Sequence, residues 1–304
     1  MRQAAQVVRS LDVLADRALI IDTPDGAIHA RRSDGRSDRV AVVLHGGPGM
    51  SFTYLESIIP LLNGSFTTIN YQQRGKAPTT VGEPFTVDAH VADARTVIDQ
   101  AAGGQAWIVG HSWGGHLALH MLAAAPEQLE GAIIIDPLGV DLEVMEEFIP
   151  ALRRHLTDRD RERVDEIEER EDSGVATPEE SLECMHLLWP GYFAEPASAP
   201  EPPDLSLEVG VFTSTMQSIR EHEHAGTLER GLPAVPQSLP VLFIHGVRSP
   251  MPVRTTTRTA ELIPHARVDL LPEAGHFLWL EDPDGMRDAI AAFVADAAAP
   301  AAAG

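Results

Sequence analysis

The sequence predicts an α/β fold, a mostly parallel sheet with helices on both faces and an inserted, mainly helical cap. Three observations carry that expectation. Short apolar runs alternate with stretches of helical periodicity. Several of those runs are too uniformly apolar to be half-exposed, as expected of parallel strands covered on both faces. Residues 137–239 then break the rhythm with a densely charged segment.

Taken in chain order, apolar residues at 18–21 and 27–30 flank Thr23-Pro24-Asp25-Gly26, a turn sequence between antiparallel strands. Residues 40–44 (VAVVL), 66–70 (FTTIN), 107–110 (WIVG), 132–135 (AIII), 241–244 (VLFI) and 268–271 (VDLL) read as strands. Thr86 can cap a helix that places Val87, Val91, Ala94 and Ile98 on one face. Leu117, Met121 and Ala124 line one side of a second helix, which ends near Pro126. Asp282 as N-cap and Pro283 at the first helical position open a third, with Met286, Ile290 and Phe293 on one face. Such alternation assigns residues 1–136 and 240–304 to the core and 137–239 to the cap. The alanine-rich end, from about residue 297, is expected to be a disordered tail.

The cap holds most of the charge. Between residues 141 and 235 stand 23 acidic and 8 basic side chains, a net of −15. Thr157 starts the helical run TDRDRERVDEIEERED, in which Glu166 and Arg170 form an i,i+4 pair, and residues 195–203 (EPASAPEPP) read as a loop. An insertion at this point can cover the carboxyl edge of the sheet, where α/β proteins place their sites.

Composition excludes several function classes. The chain has 304 residues, and 45 acidic against 23 basic residues give a net charge of −22, so a cleft would repel phosphate polymers and nucleic acid is not an expected partner. No run approaches the length of a membrane span, and the first residues carry scattered charges without an apolar core, so neither a membrane partner nor a secretory leader is expected. One cysteine, Cys184, precludes an intramolecular disulfide framework or a multi-cysteine metal site and is expected to be a packed thiol. A cytoplasmic location follows as the expectation, with no metal and no cofactor.

The chemistry rests on three motifs. Gly110-His111-Ser112-Trp113-Gly114 is a G-x-S-x-G between an apolar strand and a helix, the nucleophile-elbow arrangement that projects a serine hydroxyl from the top of a sheet. His45-Gly46-Gly47-Pro48-Gly49 directly follows VAVVL. Acyl transfer needs two N–H donors where a carbonyl oxygen becomes negative, and the Gly47 and Trp113 amides are the expected pair, with His45 supporting the loop. His276 lies on the loop after the last strand, where an imidazole must sit to take the proton of Ser112. His111, His116 and His120 are expected to point into the helix or core, and His245 to end a strand.

With HGGPG followed by GHSWGG, the chain resembles the α/β-hydrolase superfamily, and within it the proline iminopeptidase-like branch with a helical cap. The resemblance covers residues of about 18–136 and 240–296. It implies Ser112 as nucleophile, His276 as base, and the Gly47 and Trp113 amides as oxyanion hole. In most of the family an acid follows the strand before the histidine, but that position here is Ser249. Other members draw the acid from the end of the strand after the elbow helix, which in this chain is Asp136, the expected orienting acid. Glu273, Asp282 and a Ser-His dyad without an acid stand as alternatives. Gln72 replaces the aspartate that iminopeptidases usually carry before Gln-Arg-Gly, in a loop expected to shape the pocket. Glu146, Glu147, Glu179, Glu180 and Glu183 are the cap carboxylates available to bind a substrate amine. Met145, Phe148, Met185, Leu188, Trp189, Tyr192 and Phe193 either line a pocket beneath the cap or form its own small core.

These readings give a serine hydrolase acting on a small-molecule or short-peptide substrate, an ester, lactone, amide or N-terminal peptide bond. The alternatives are a lyase or cyclase reusing the Ser-His site for proton transfer, and a catalytically silent ligand-binding protein. Nothing in the sequence sets the oligomeric state.

Overall fold

The computed structural model describes residues 16–298. The first 15 residues, expected to lack a leader, and all but two of the alanine-rich end lie outside the described residues. Those two, Ala297 and Ala298, close the last helix, Pro283–Ala298, rather than starting a tail. Alanine is the best helix former, so propensity carries the helix on.

Eight strands form one sheet: β1 (Asp16–Thr23), β2 (Gly26–Ser33), β3 (Val40–Leu44), β4 (Thr67–Tyr71), β5 (Ala106–His111), β6 (Leu129–Ile135), β7 (Val241–Gly246) and β8 (Arg267–Leu271). Their order is β1-β2-β4-β3-β5-β6-β7-β8, with β2 antiparallel to both its neighbours, β1 and β4, and every other neighbouring pair parallel. Strand alternation divides the core into two layers. Val42, Leu44, Ile108, Ile134 and Phe243 face one layer, while Val43, Val109, Ile133, Ile135 and Leu242 face the other. Helices Val87–Ala101 and Trp113–Ala124 cover the first layer, and Pro283–Ala298 covers the second. Thr86 caps its helix by accepting the Ala89 N–H, and such caps contribute about 1 kcal/mol.

Strand order reverses around β3, whose neighbours are β4 on one side and β5 on the other. Open α/β sheets bind ligands at the carboxyl end of such a switch point. The segment between β6 and β7 lies over that end as helices Met145–Leu152, Asp158–Asp172, Pro178–Leu188 and Val209–His224. Helix Asp158–Asp172 buries only Val164 and Ile167, which meet Leu156 and Cys184. It is tied to Pro178–Leu188 by Arg163–Glu183 at 2.8 Å and Arg170–Glu180 at 3.0 Å. The expected pair Glu166–Arg170 is therefore not formed: Glu180 captures Arg170, and Glu166 turns to Arg163 at 3.4 Å.

Candidate active site

The carboxyl ends of β3, β5, β6, β7 and β8 deliver, in that order, the HGGPG loop, Ser112, Asp136, Ser249 and the loop of His276. Ser112 sits between β5 and helix Trp113–Ala124 with φ 57° and ψ −120°. A positive φ is costly for a residue with a Cβ, and tight packing imposes it here. A Cβ on Gly110 would stand 2.1 Å from the Gly114 carbonyl oxygen, and one on Gly114 would stand 2.1 Å from that of Leu44. The motif's two glycines are thus required by close backbone approach.

Asp136, at φ 42°, is completely buried at the end of β6. Its Oδ1 lies 2.8 Å from His276 Nδ1 and accepts the Ser249 hydroxyl at 2.9 Å. Its Oδ2 accepts the Gly246 N–H at 3.2 Å. Because a carboxylate accepts, Nδ1 of His276 carries the proton and Nε2 is left with its lone pair. Burial pushes His276 down to about 3, so the imidazole rests neutral. Burial pulls Asp136 up to about 6, opposed by His245, the Ser249 hydroxyl and the Gly246 amide.

Ser249, at the position where most of the resembling family carries an acid, is therefore in contact with the carboxylate that holds His276. The two carboxylates expected as alternatives, Glu273 and Asp282, are engaged elsewhere. Glu273 is exposed and faces Arg248 at 3.7 Å, and Asp282 accepts the Gly285 N–H at 2.9 Å in the first turn of the last helix.

The two amides expected to receive an oxyanion, those of Gly47 and Trp113, have no hydrogen-bond acceptor among the described residues, and both residues line one cavity with Ser112 and His276. Trp113 is in the first helical turn, whose N–H groups have no partner within the helix. Gly47 owes its orientation to His45. The His45 Nδ1–H donates to the Gly46 carbonyl at 2.9 Å, and a trans peptide then turns the Gly47 N–H to the opposite side. His45 is itself held by the Gln73 N–H at 3.2 Å on Nε2, and burial lowers it to about 4, so it stays neutral. Gln73 also spans from the His45 carbonyl (2.8 Å) to the Trp113 indole N–H (2.8 Å), coupling loop and elbow. Gln72 braces the loop from behind through Met50 O at 2.9 Å and the Phe52 N–H at 3.1 Å. This corrects the expectation for the Gln72–Gly75 loop: Gln72, Gln73 and Arg74 are buried supports, and none lines the cavity.

The cavity has a volume of about 470 Å³ and runs from Ser112 up beneath the cap. Met145, Phe148, Met185, Leu188, Trp189 and Tyr192 line it, so the cap's apolar residues form a pocket wall; Phe193 instead packs on Trp189 and Phe277. Five of the eight methionines (Met50, Met145, Met185, Met216 and Met251) face this space. None of the five glutamates considered for an amine lines it. Glu147 pairs with Arg254, and Glu180 and Glu183 pair with Arg163. Glu168, Glu171 and Asp172, all on helix Asp158–Asp172, supply its acidic groups. Cys184 borders it as a buried thiol that burial pushes up to about 12.

His111 is buried as expected, but it also lines the cavity, with its ring centroid 4.5 Å from that of His276. Two cap contacts to the histidine loop were not anticipated from the sequence. The His276 N–H donates to the Tyr192 carbonyl at 2.8 Å, and Glu281 bridges the N–H groups of Gly275 (2.7 Å) and Ala194 (2.8 Å). No motif marks these residues, since the contacts between cap and loop join Tyr192 to His276 and Ala194 to Glu281 across more than 80 residues of chain. His116 and His120 are in the core as expected, 3.2 Å apart through their Nε2 atoms. Among the described residues no group of three or more His, Cys, Asp or Glu side chains is arranged to hold a metal, and no helix is long and apolar enough to cross a membrane.

The model of the Alpha/beta hydrolase family matches residues 41–289. A proline iminopeptidase of Thermoplasma volcanium is 37% identical over 109 residues, covering 34% of this chain and 37% of that protein. Together with two further curated relatives, spanned over 30% and 43%, the chain thus covers less than half the length of each. Two crystal structures share the fold over almost the whole chain. A serine hydrolase from Cycloclasticus zankles has a TM-score of 0.70 at 16% identity, covering 94% of this chain and 100% of that one. The proline iminopeptidase of Mycobacterium smegmatis has a TM-score of 0.66 at 23% identity, covering 92% and 98%.

Proposed function

Because the chain belongs to the alpha/beta hydrolase family, we propose that it is a serine hydrolase with Ser112 as nucleophile, His276 as base and Asp136 as orienting acid. The observation that carries this reading is the 2.8 Å contact from Asp136 Oδ1 to His276 Nδ1, which leaves Nε2 free in the cavity that Ser112 lines. Ser112 passes its proton to Nε2 as Oγ attacks the substrate carbonyl. The Gly47 and Trp113 amides receive the oxyanion, and Asp136 stabilises the imidazolium. Collapse returns that proton to the leaving group and leaves an acyl-serine. Water, deprotonated by the same Nε2, then releases the acid and restores Ser112.

The walls favour substrates with an uncharged apolar body over aminoacyl amides, whose free amine would need a carboxylate close to the scissile bond. With medium-chain aryl esters or lactones in ¹⁸O-labelled water, the acid product gains one solvent oxygen. Burial of each added methylene raises kcat/KM up to about fourfold until the pocket is full. Turnover without solvent oxygen would make the protein a lyase or cyclase. A preference for substrates with a free N-terminal amine would restore the peptidase reading.

The acid limb of activity follows from the pair's burial. With Asp136 at about 6, protons reach the carboxyl below that pH, and the neutral acid no longer stabilises an imidazolium. kcat/KM should be level from pH 7 upward to mildly alkaline values and fall as pH drops through about 6, read from a pH–rate profile on an ester stable over that range. A limb centred near 4 would contradict control by Asp136 and leave protonation of His276 as the controlling event.

A further inference from the structure

Tyr54 and His111 belong to neither the triad nor the amide pair, yet both are buried and line the cavity beside His276. Their hydrogen bonds fix every proton between them. His111 Nε2 lies 3.0 Å from the carbonyl oxygen of His276, and a carbonyl only accepts, so Nε2 carries a proton. Burial, with His276 close by, holds His111 well below the ordinary histidine range, so its Nδ1 is bare. That Nδ1, 3.0 Å from the Tyr54 hydroxyl, can only accept, and Tyr54 must donate to it. The hydroxyl's lone pair is then available to the Gly46 N–H, which donates to it. The resulting line runs Gly46 N–H to Tyr54 Oη–H to His111 Nδ1, and from His111 Nε2–H to the His276 carbonyl.

From this geometry we infer that Tyr54 and His111 form a positioning relay that sets the HGGPG loop, the nucleophile elbow and the histidine loop in one mutual register. The inference rests on the function proposed above. Each end of the relay holds a backbone group next to a reacting one. Gly46 precedes the Gly47 amide, and its Cα lies so close to the elbow that a Cβ there would be 2.8 Å from Ser112 Cβ and 2.7 Å from Tyr54 Oη. At the other end, His276 is gripped on both sides of its Cα, through its carbonyl by His111 and through its N–H by Tyr192 O at 2.8 Å. His111 is the residue before Ser112, so the relay passes through the elbow itself. Tyr54 also packs edge-on to His111 and Phe277, with centroids 5.8 and 5.9 Å away, so replacing it by phenylalanine keeps the packing and deletes only the hydroxyl.

Loss of that hydroxyl leaves the Gly46 N–H without its acceptor and His111 Nδ1 without its donor, in a site where buried polar groups go unsatisfied only at a cost. Tyr54→Phe, His111→Ala, His111→Gln and the double variant Tyr54→Phe/His111→Ala would be assayed on the full chain with an activated aryl ester, with Ser112→Ala alongside and thermal unfolding as a folding control. Tyr54→Phe and His111→Ala should each lower kcat about 10- to 100-fold with KM within about threefold. His111→Gln, whose amide can still donate to the His276 carbonyl, should recover part of the loss. The double variant should be no slower than the worse single one, because the two residues act as one relay. Wild-type kcat in Tyr54→Phe, or losses that multiply in the double variant, would overturn the relay while Ser112→Ala still abolished turnover. Turnover unaffected by Ser112→Ala would instead remove the proposed function and the relay with it.

Discussion

Ser112→Ala should lower kcat for an activated ester by about 10⁵- to 10⁶-fold and leave the melting temperature close to that of the wild type. The size follows from what the substitution removes. Nucleophile, base and acid act as a unit, so losing the nucleophile forfeits the covalent route altogether, and the two amides sustain only a small residual rate over water. The fold should tolerate the change because Ser112 contributes no side-chain cap to its helix and its backbone strain is held by neighbours rather than by its hydroxyl. Parallel measurement of steady-state rate and thermal unfolding checks both halves. A variant that retained even a hundredth of the rate would point to another nucleophile.

Asp136→Asn should cost about 10⁴-fold in kcat, since an amide that keeps its oxygen toward Gly246 turns its NH₂ toward His276 and reverses the tautomer. The structure supplies a more discriminating companion. Ser249 Oγ touches the same Asp136 oxygen that holds His276, so a carboxylate placed at residue 249 arises beside the imidazole. The double variant Asp136→Asn/Ser249→Asp should recover at least about tenfold over Asp136→Asn, corresponding to about 1.4 kcal/mol of transition-state stabilisation. Ser249→Asp alone should be slower than wild type, because two carboxylates at one buried oxygen position repel and hold a proton between them. Kinetics of the four proteins at pH 8 provide the check; no recovery in the double variant would mean that the carboxylate does more than orient His276.

The elements most legible in the sequence were those with strong periodicity. Residues such as Val42 and Val43 are apolar on both faces because β3 is buried between two layers, and such runs leave little alternative to a parallel strand. The placing of Ser112 and His276 on one cavity was legible because an elbow and a post-strand loop have few solutions. The contact of Asp136 with His276 was legible through a departure: Ser249 occupies the position where a carboxylate is expected, and another strand end offers one. The place of His111 in the cavity wall was not legible because its partners, Tyr54 and the His276 carbonyl, lie 57 and 165 residues away. The cap's carboxylates were illegible for a similar reason. Their density is high throughout, and pairing with Arg163, Arg170 and Arg254 removes Glu180, Glu183 and Glu147 from the pocket, a choice made by helix–helix contact alone. The role of Gln72 as a brace depended on a loop crossing that no local pattern encodes.

Rapid mixing of the wild-type protein with an excess of an activated aryl ester, followed by acid quench and peptide mass mapping, tests the proposed chemistry most directly. The mechanism predicts a burst of about one aryl alcohol per chain, an acyl mass added to the peptide bearing Ser112, and loss of that mass as turnover proceeds. Turnover without a burst or an adduct at Ser112, or an adduct on any other residue, would contradict it.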